Sequence, residues 1–320
     1  MAFMLLEPGT ARRYNIDEFL SQTATIVVNW NQADETFACV RSLLAAGALP
    51  ETVYIVDNGS TDDSVTQFRS QTQNYPVQLL TSQTNLGFAG GTNIGIQQAL
   101  ANGAQWVLTV NNDTRVAPSF YQELAFAVRS HPQYKLLTPA IFYYDDPERI
   151  WSLGDRLFPG TLITYGLFRN RSLPTDIAPI VPIDFANACG LLVHRDVFQT
   201  IGCFNTEFFM YGEDVEFCWR ARKADFRIAA VPKARMFHKV SLSSETCHTQ
   251  RRRWRIINQI RFYRKASTWF QYPIMILFTF LRALWISSGD VMHGRFKLAY
   301  ATVHSWWLGW FTPYHGAKTT

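Results

Sequence analysis

Several short stretches of this 320-residue chain carry side chains whose types and spacing could do chemistry. Asp57-Asn58-Gly59-Ser60-Thr61-Asp62-Asp63-Ser64 follows a hydrophobic run. Its Asn-Gly is a turn signal, and Ser60 with Asp63 has the spacing of a capping box for a following helix. Asp57 is left over, a carboxylate suited to accept hydrogen bonds from a nucleotide base or a ribose. Residues 85–95 (NLGFAGGTNIG) are glycine-dense, but their spacing is neither GxGxxG nor GxxxxGK[ST], which disfavours a dehydrogenase or a P-loop NTPase. Such glycines ahead of a helix either let backbone N–H groups approach a phosphate or sugar, or simply close a tight loop. Asn111-Asn112-Asp113-Thr114 holds one carboxylate. One is enough for Mg²⁺ when a diphosphate and water complete the octahedron, while a turn capped by Asp113 is the plainer account. Residues 208–216 (FFMYGEDVE) place Glu213, Asp214 and Glu216 in a helix's first turn, where the dipole stabilises each acid by about 0.3–1 kcal/mol. The aromatic lead-in needs another reason. An ionised carboxylate walled by apolar groups is what a general base beside an acceptor hydroxyl requires, and Asp214 fits that role. His238 closes an apolar stretch; a lone histidine is usually structural, and as a ligand its imidazole would lean the metal toward Mn²⁺.

These groups must be held by regular elements. Hydrophobic runs at 23–30, 52–56, 77–81 and 105–110 read as strands, and 34–46, the segment from after Gly91 to about Leu100, and 118–130 read as helices. The alternation is that of an α/β unit, with polar clusters at strand ends 29–31, 57–60 and 111–113. Ligands of open parallel sheets bind beyond those carboxyl ends, so the clusters converge on one crevice. Six prolines between 139 and 182 predict irregular connections and short hairpins, an acceptor-side subregion. A strand at 190–194, a short helix over 196–201 and a helix over 214–223, with Glu216 and Arg220 paired on one face, complete the globule near residue 250.

Composition bounds the alternatives. With 48% hydrophobic and 17% charged residues the chain is neither disordered nor low-complexity. Charge is unevenly divided: residues 251–320 hold 11 Lys/Arg against the single Asp290, while residues 1–250 hold 19 against 24 acids. That basic segment also has six of the ten Trp, a mixture suited to a membrane headgroup region. Nucleic acid is the competing partner for such a tail; it would bind with a steep salt dependence, and none is expected. The seven basic residues from Arg251 to Lys265 lie on a predicted helix with Trp254, Ile257 and Ile260 along one side. The alternative is that this tail packs on the acidic domain or forms an oligomer contact. The longest apolar run, residues 273–286, has 14 residues including Arg282, where a spanning helix needs roughly 20; it is read as lying in the interface. Five cysteines without a CxxC pair indicate neither a disulfide framework nor a zinc site. The first twenty residues lack a secretory apolar region, so a cytoplasmic location is expected.

Taken in order, TIVVNWN at 25–31, VDNGS at 56–60, NLGFAGGTNIG at 85–95, NNDT at 111–114 and FFMYGEDVE at 208–216 followed by His238 resemble the family 2 inverting glycosyltransferases of GT-A fold. The Gly-Phe-Ala-Gly-Gly-x-Asn loop is most similar to rhamnosyltransferases. The resemblance covers residues 23 to about 244. It implies a Rossmann-like mixed sheet flanked by helices, with a helical, basic-aromatic C-terminal extension. The domain plan is an N-terminal extension 1–22, a nucleotide-sugar half 23–115, an acceptor half 116–250 and a membrane-associating tail 251–320. It further implies nucleotide-sugar binding by Asn29, Asp57, Gly87, Phe88, Asn93 and Asn112, an acceptor side at Glu213, Cys189 and Gly190, a divalent metal (Mg²⁺ or Mn²⁺) at Asp113 and His238, and Asp214 as catalytic base. Asn111 stands where the family's metal motif has an acid, Asn205 where an Asp often follows Gly-x-Phe, and Asp225 where a Gly follows the Arg-rich helix. The implied activity moves a sugar, first L-rhamnose from dTDP-rhamnose, to a lipid-linked or polysaccharide hydroxyl at the inner face of the plasma membrane. A UDP-linked hexosamine or galactofuranose donor, or a non-catalytic carbohydrate-binding relative, is the alternative.

Overall fold

The computed structural model describes residues 16–71, 76–240 and 245–312, with side chains from 249 in the last segment. Most of the expected N-terminal extension, residues 1–15, lies outside them. The chain opens with α1 (Ile16–Gln22), β1 (Thr23–Asn29), α2 (Ala33–Ala45), β2 (Val53–Asn58), α3 (Ser64–Gln71), β3 (Gln78–Ser82), α4 (Gly87–Ala101) and β4 (Trp106–Asn111). Strands β4, β1, β2 and β3 are adjacent and parallel in that order. Strand β1 is almost wholly buried, and its successive residues feed opposite cores: Ile26 packs toward α4, Val27 toward α2.

The second half adds β5 (Thr114–Val116), α5 (Phe120–Ser130), β6 (Tyr134–Tyr143), β7 (Ile150–Ser152), β8 (Asp155–Leu157), β9 (Thr164–Gly166), β10 (Val181–Ile183), β11 (Gly190–His194), α6 (Arg195–Ile201), α7 (Glu213–Lys223) and β12 (Arg227–His238). The sheet runs β10-β12-β6-β11-β4-β1-β2-β3, with β5 on β12, β7 on β6, and a separate β8–β9 hairpin. Strand β11 lies antiparallel to β4, which makes the sheet mixed. The irregular region expected from 139 begins later, because β6 runs through Pro139. Proline removes a ladder donor, and the partner β12 shifts register at that point, between Val231 and Arg235, a bulge of the kind that tolerates it.

Three helices follow: α8 (Glu245–Ala266), α9 (Gln271–Met292) and α10 (Phe296–Phe311). The expected boundary at 250 falls inside α8, which is no linker: Ile260, Phe262 and Tyr263 belong to the same buried cluster as Phe185 and Phe217. Much of the basic charge of α8 is also used internally. Lys265 pairs with buried Glu216, Arg252 with Asp290, Arg264 donates to the Gly309 and Thr312 carbonyls, and Arg255 lies over the Tyr211 ring. Helix α9 extends the 14-residue apolar run at both ends to 22 residues, within which an 18-residue stretch has mean hydropathy 1.5, long and apolar enough to cross a membrane by length and composition. Among the described residues Cys39, Cys189, Cys203 and Cys218 are free thiols.

Candidate active site

The ends of β1, β2 and β4 form one hydrogen-bonded edge. Asp57, 1% exposed, accepts from Asn29 Nδ2 at 2.9 Å, from Ser60 Oγ at 2.6 Å and from the Ser60 amide at 3.0 Å. Asn29 Oδ1 accepts from Thr36 Oγ1 at 2.8 Å, and Asn112 Nδ2 reaches Thr36 Oγ1 at 3.2 Å. A continuous chain thus links Asp57, Asn29, Thr36 and Asn112 across three strands. The expected capping box does not form. Ser60 turns to Asp57, and α3 starts instead with the Ser64 amide on Asp62 Oδ1 at 3.0 Å.

Helix α4 begins at Gly87, five residues before the expected point, so the glycines sit inside it. Asn58, which the sequence showed only as a turn residue, is the reason: Oδ1 accepts from the Leu86 amide at 3.0 Å, Nδ2 donates to the Gly87 carbonyl at 2.9 Å, and Asn85 Oδ1 takes the Gly87 amide at 2.8 Å. The Phe88 amide donates to the Phe209 carbonyl at 2.8 Å, and a Cβ on Gly87 would lie 2.1 Å from that oxygen. These glycines therefore serve close packing, with the helix start docked on the aromatic lead-in to α7. Asn93, expected to bind donor, clamps the Phe204 backbone with both ends of its amide, at 2.8 and 3.0 Å.

Strand pairing brings the metal candidates together. Thr114 of β5 lies opposite His238 of β12, and His238 Nε2 is 3.0 Å from Asp113 Oδ1. Burial disfavours the imidazolium, but neighbouring Cys189 and the Asp113 carboxylate outweigh it and push the His238 pKa up to about 10. His238 Nδ1 is buried without a hydrogen-bond partner. No cluster of three His, Cys, Asp or Glu side chains occurs among the described residues, which therefore supply two ligands at most here. One carboxylate and one imidazole suit Mn²⁺ or Mg²⁺ only with diphosphate and water oxygens completing the shell, and the pair fits such an ion only if His238 gives up its proton as the ion binds.

Segment 187–190 joins this pair to α7. The Cys189 carbonyl accepts from the Asn111 amide at 3.2 Å, the Ala188 carbonyl accepts from Thr109 Oγ1 at 2.7 Å, and the Ala188 amide lies 3.4 Å from Asp214 Oδ2. Cys189 and Gly190, expected to face an acceptor, are buried; a Cβ on Gly190 would meet Pro139 at 2.9 Å. Asp214 Oδ1 accepts its own helix's Val215 amide at 2.8 Å. Burial raises its pKa to about 6, against the hydrogen bonds to Val215 and Ala188. Glu213, 6% exposed with Oε2 unpartnered, is pushed well above the carboxylate range, first by burial and then by Asp214. Burial thus raises both adjacent carboxyls, and the negative charge of Asp214 adds to the rise at Glu213.

The profile of Glycosyl transferase family 2 matches residues 25–201, more than half of the chain. The chain belongs to Glycosyl transferase family 2. A low-salt glycan biosynthesis hexosyltransferase of Haloferax volcanii is 27% identical over 211 residues, 65% of this chain and 64% of that protein. The chain thus spans a little under two thirds of that relative. An N-acetylglucosaminyl-diphospho-decaprenol L-rhamnosyltransferase of Mycobacterium tuberculosis is 29% identical over 67% of this chain and 74% of its own length. The crystal structure of GalNAc-T7 with UDP, GalNAc and Mn²⁺ superposes with a TM-score of 0.57 over 76% of this chain and 47% of that one. At 14% identity that likeness concerns the fold, and it agrees with the GT-A architecture: a mixed sheet with helices on both faces.

Proposed function

We propose that the protein is an inverting glycosyltransferase that moves L-rhamnose from dTDP-rhamnose to a hydroxyl of a membrane-embedded, lipid-linked saccharide. The observation that carries the reading is Asp214, a partly buried carboxylate at the start of α7, hydrogen-bonded to the segment that borders Asp113 and His238. The mycobacterial relative, named for rhamnosyl transfer to a decaprenol-linked sugar, supports the donor and acceptor class.

In this reading Asp57, Asn29 and Asn112 face the nucleotide, and Asp214 takes the acceptor's hydroxyl proton as that oxygen bonds to the anomeric carbon from the side opposite the leaving group. The anomeric C–O bond breaks, and the nucleoside diphosphate departs with the bonding pair. Asp113 and His238 would hold a divalent ion, which supplies charge neutralisation to the departing diphosphate when bound.

The membrane part rests on α9 and α10. Inner residues of α9, Met275, Thr279, Ala283, Ser287 and Asp290, are buried. Both indole N–H groups of Trp306 and Trp310 donate to Thr279 Oγ1, at 3.0 and 2.9 Å. Outward, Leu281, Trp285, Phe296, Tyr300 and Trp307 are more than half exposed. A helix pair with one polar-bonded inner face and one aromatic outer face suits the headgroup layer of the inner leaflet.

A panel of nucleotide sugars with a polyprenyl-diphosphate acceptor, run with Mn²⁺, with Mg²⁺ and with chelator, tests the reading against Asp214→Asn. Metal-dependent rhamnosyl transfer by the wild type, lost in the variant, is expected. Transfer from a UDP-sugar alone would correct the donor; turnover by neither protein, with sugar binding retained, would favour a carbohydrate-binding role.

A further inference from the structure

Helix α8 contains a group that no sequence signal marked. Asn258, 2% exposed, donates through Nδ2 to the Met210 carbonyl at 2.9 Å and the Tyr211 carbonyl at 3.0 Å. Its Oδ1 accepts from Arg261 Nη1 at 3.1 Å, which sets the end of the amide that faces the loop. The carbonyls it holds lie in a sharp stretch of backbone. Tyr211 at φ 68° and Gly212 at φ 93° are consecutive left-handed residues, and Glu213 and Asp214 follow directly. That conformation is disfavoured for a residue that bears a side chain, so Tyr211 stays there only because its surroundings fix it. Helix α8 supplies those surroundings: the Arg255 guanidinium 4.5 Å above the Tyr211 ring, and Trp254 5.3 Å from Phe209.

We infer that Asn258 is a positioning residue for Asp214, fixing through the Met210 and Tyr211 carbonyls the left-handed turn from which α7 sets out. The inference rests on the reading of Asp214 as base. A shift of about 1 Å in a reacting group can lower turnover 10²-fold without touching substrate binding, so the effect belongs in kcat. The C-terminal helices are then part of the catalytic apparatus as well as an appendage to it.

The test uses the full-length protein with Asn258→Ala and Asn258→Ser, the serine keeping one donor. Amide hydrogen exchange over residues 208–216 is measured beside kcat and donor KM. Asn258→Ala is expected to speed exchange in that segment at least tenfold and to lower kcat on the order of 10- to 100-fold, with donor KM within about threefold; Asn258→Ser falls between. The neighbouring Gln259→Ala, whose side chain meets Tyr263 and Arg282, changes neither. Unchanged exchange over 208–216, a parallel loss of donor binding, an equal effect of Gln259→Ala, or failure of both Asn258 variants to fold overturns the inference. If the wild type transfers no sugar, the base assignment falls, and the exchange result still decides whether Asn258 holds the turn.

Discussion

Asp214 concentrates the chemistry into one titration. Its pKa is raised by burial from the ordinary 3.8 to about 6, so the folded protein holds this proton more tightly than the unfolded chain does. The stabilisation this gives is complete below about pH 4 and is lost as pH rises through about 6, where the proposed base becomes competent. Turnover should therefore rise with pH along an acid limb centred near 6, as stability contributed by this group declines. Asp214→Asn, which mimics the protonated form, should lower kcat by roughly 10²–10⁴-fold while leaving the melting temperature at pH 7.5 equal or higher. A variant with wild-type turnover and the same acid limb would remove Asp214 from the mechanism. Asp57, Asp113, Asp214 and His238 were legible in the sequence because each is a charged or titratable side chain at a strand or helix end. Asn58 and Asn258 were not, since an amide that caps a loop leaves no pattern until its distant partner is known.

Elements were legible where the apolar period was uninterrupted. The four parallel strands and α7 came within a residue or two of the expected bounds, whereas β6 and β12 were missed because Pro139 and the charges in 227–238 break the alternation that marks a strand. The glycines of α4 misled for a related reason, since a helix packed against a sheet also demands residues without a Cβ. A Cβ on Gly95 would lie 2.4 Å from Ile26 Cγ2, in the middle of β1. Gly95→Ala should push α4 off the sheet and destabilise by about 1–3 kcal/mol, lowering the denaturation midpoint; an unchanged midpoint would mean the helix can shift freely. Asp225 offers the opposite test. It ends α7's following turn at φ 62°, where the resemblance expected Gly, so Asp225→Gly should stabilise by about 0.5–1 kcal/mol with activity unaltered.

Over the whole molecule, the last three helices both extend the buried core and carry an exposed aromatic face, a division that charge counting alone did not reveal. The basic residues of α8 are largely engaged by Glu216, Asp290 and backbone carbonyls, and Ile260 and Phe262 sit in the same buried cluster as Phe185 and Phe217. Removing everything after residue 250 would strip that core and unfold the enzyme, so loss of membrane binding in such a truncation would carry no weight. The outer face of α9 and α10 can instead be altered in place. Leu281, Trp285 and Trp307 are 56%, 77% and 56% exposed, and each contributes on the order of 1.5–3 kcal/mol if fully buried in an apolar layer. Replacing all three with Glu should leave the fold and transfer to a water-soluble acceptor intact, since none lies in a buried cluster. Flotation with vesicles of anionic lipid should fall at least tenfold, because the lost apolar contact exceeds the 1.4 kcal/mol that a tenfold change represents. The residual binding should be the salt-sensitive part, from exposed basic groups worth about 1 kcal/mol each at an anionic surface. Flotation that survives the triple substitution unchanged would assign this face to packing against protein and leave the acceptor to reach Asp214 by another route.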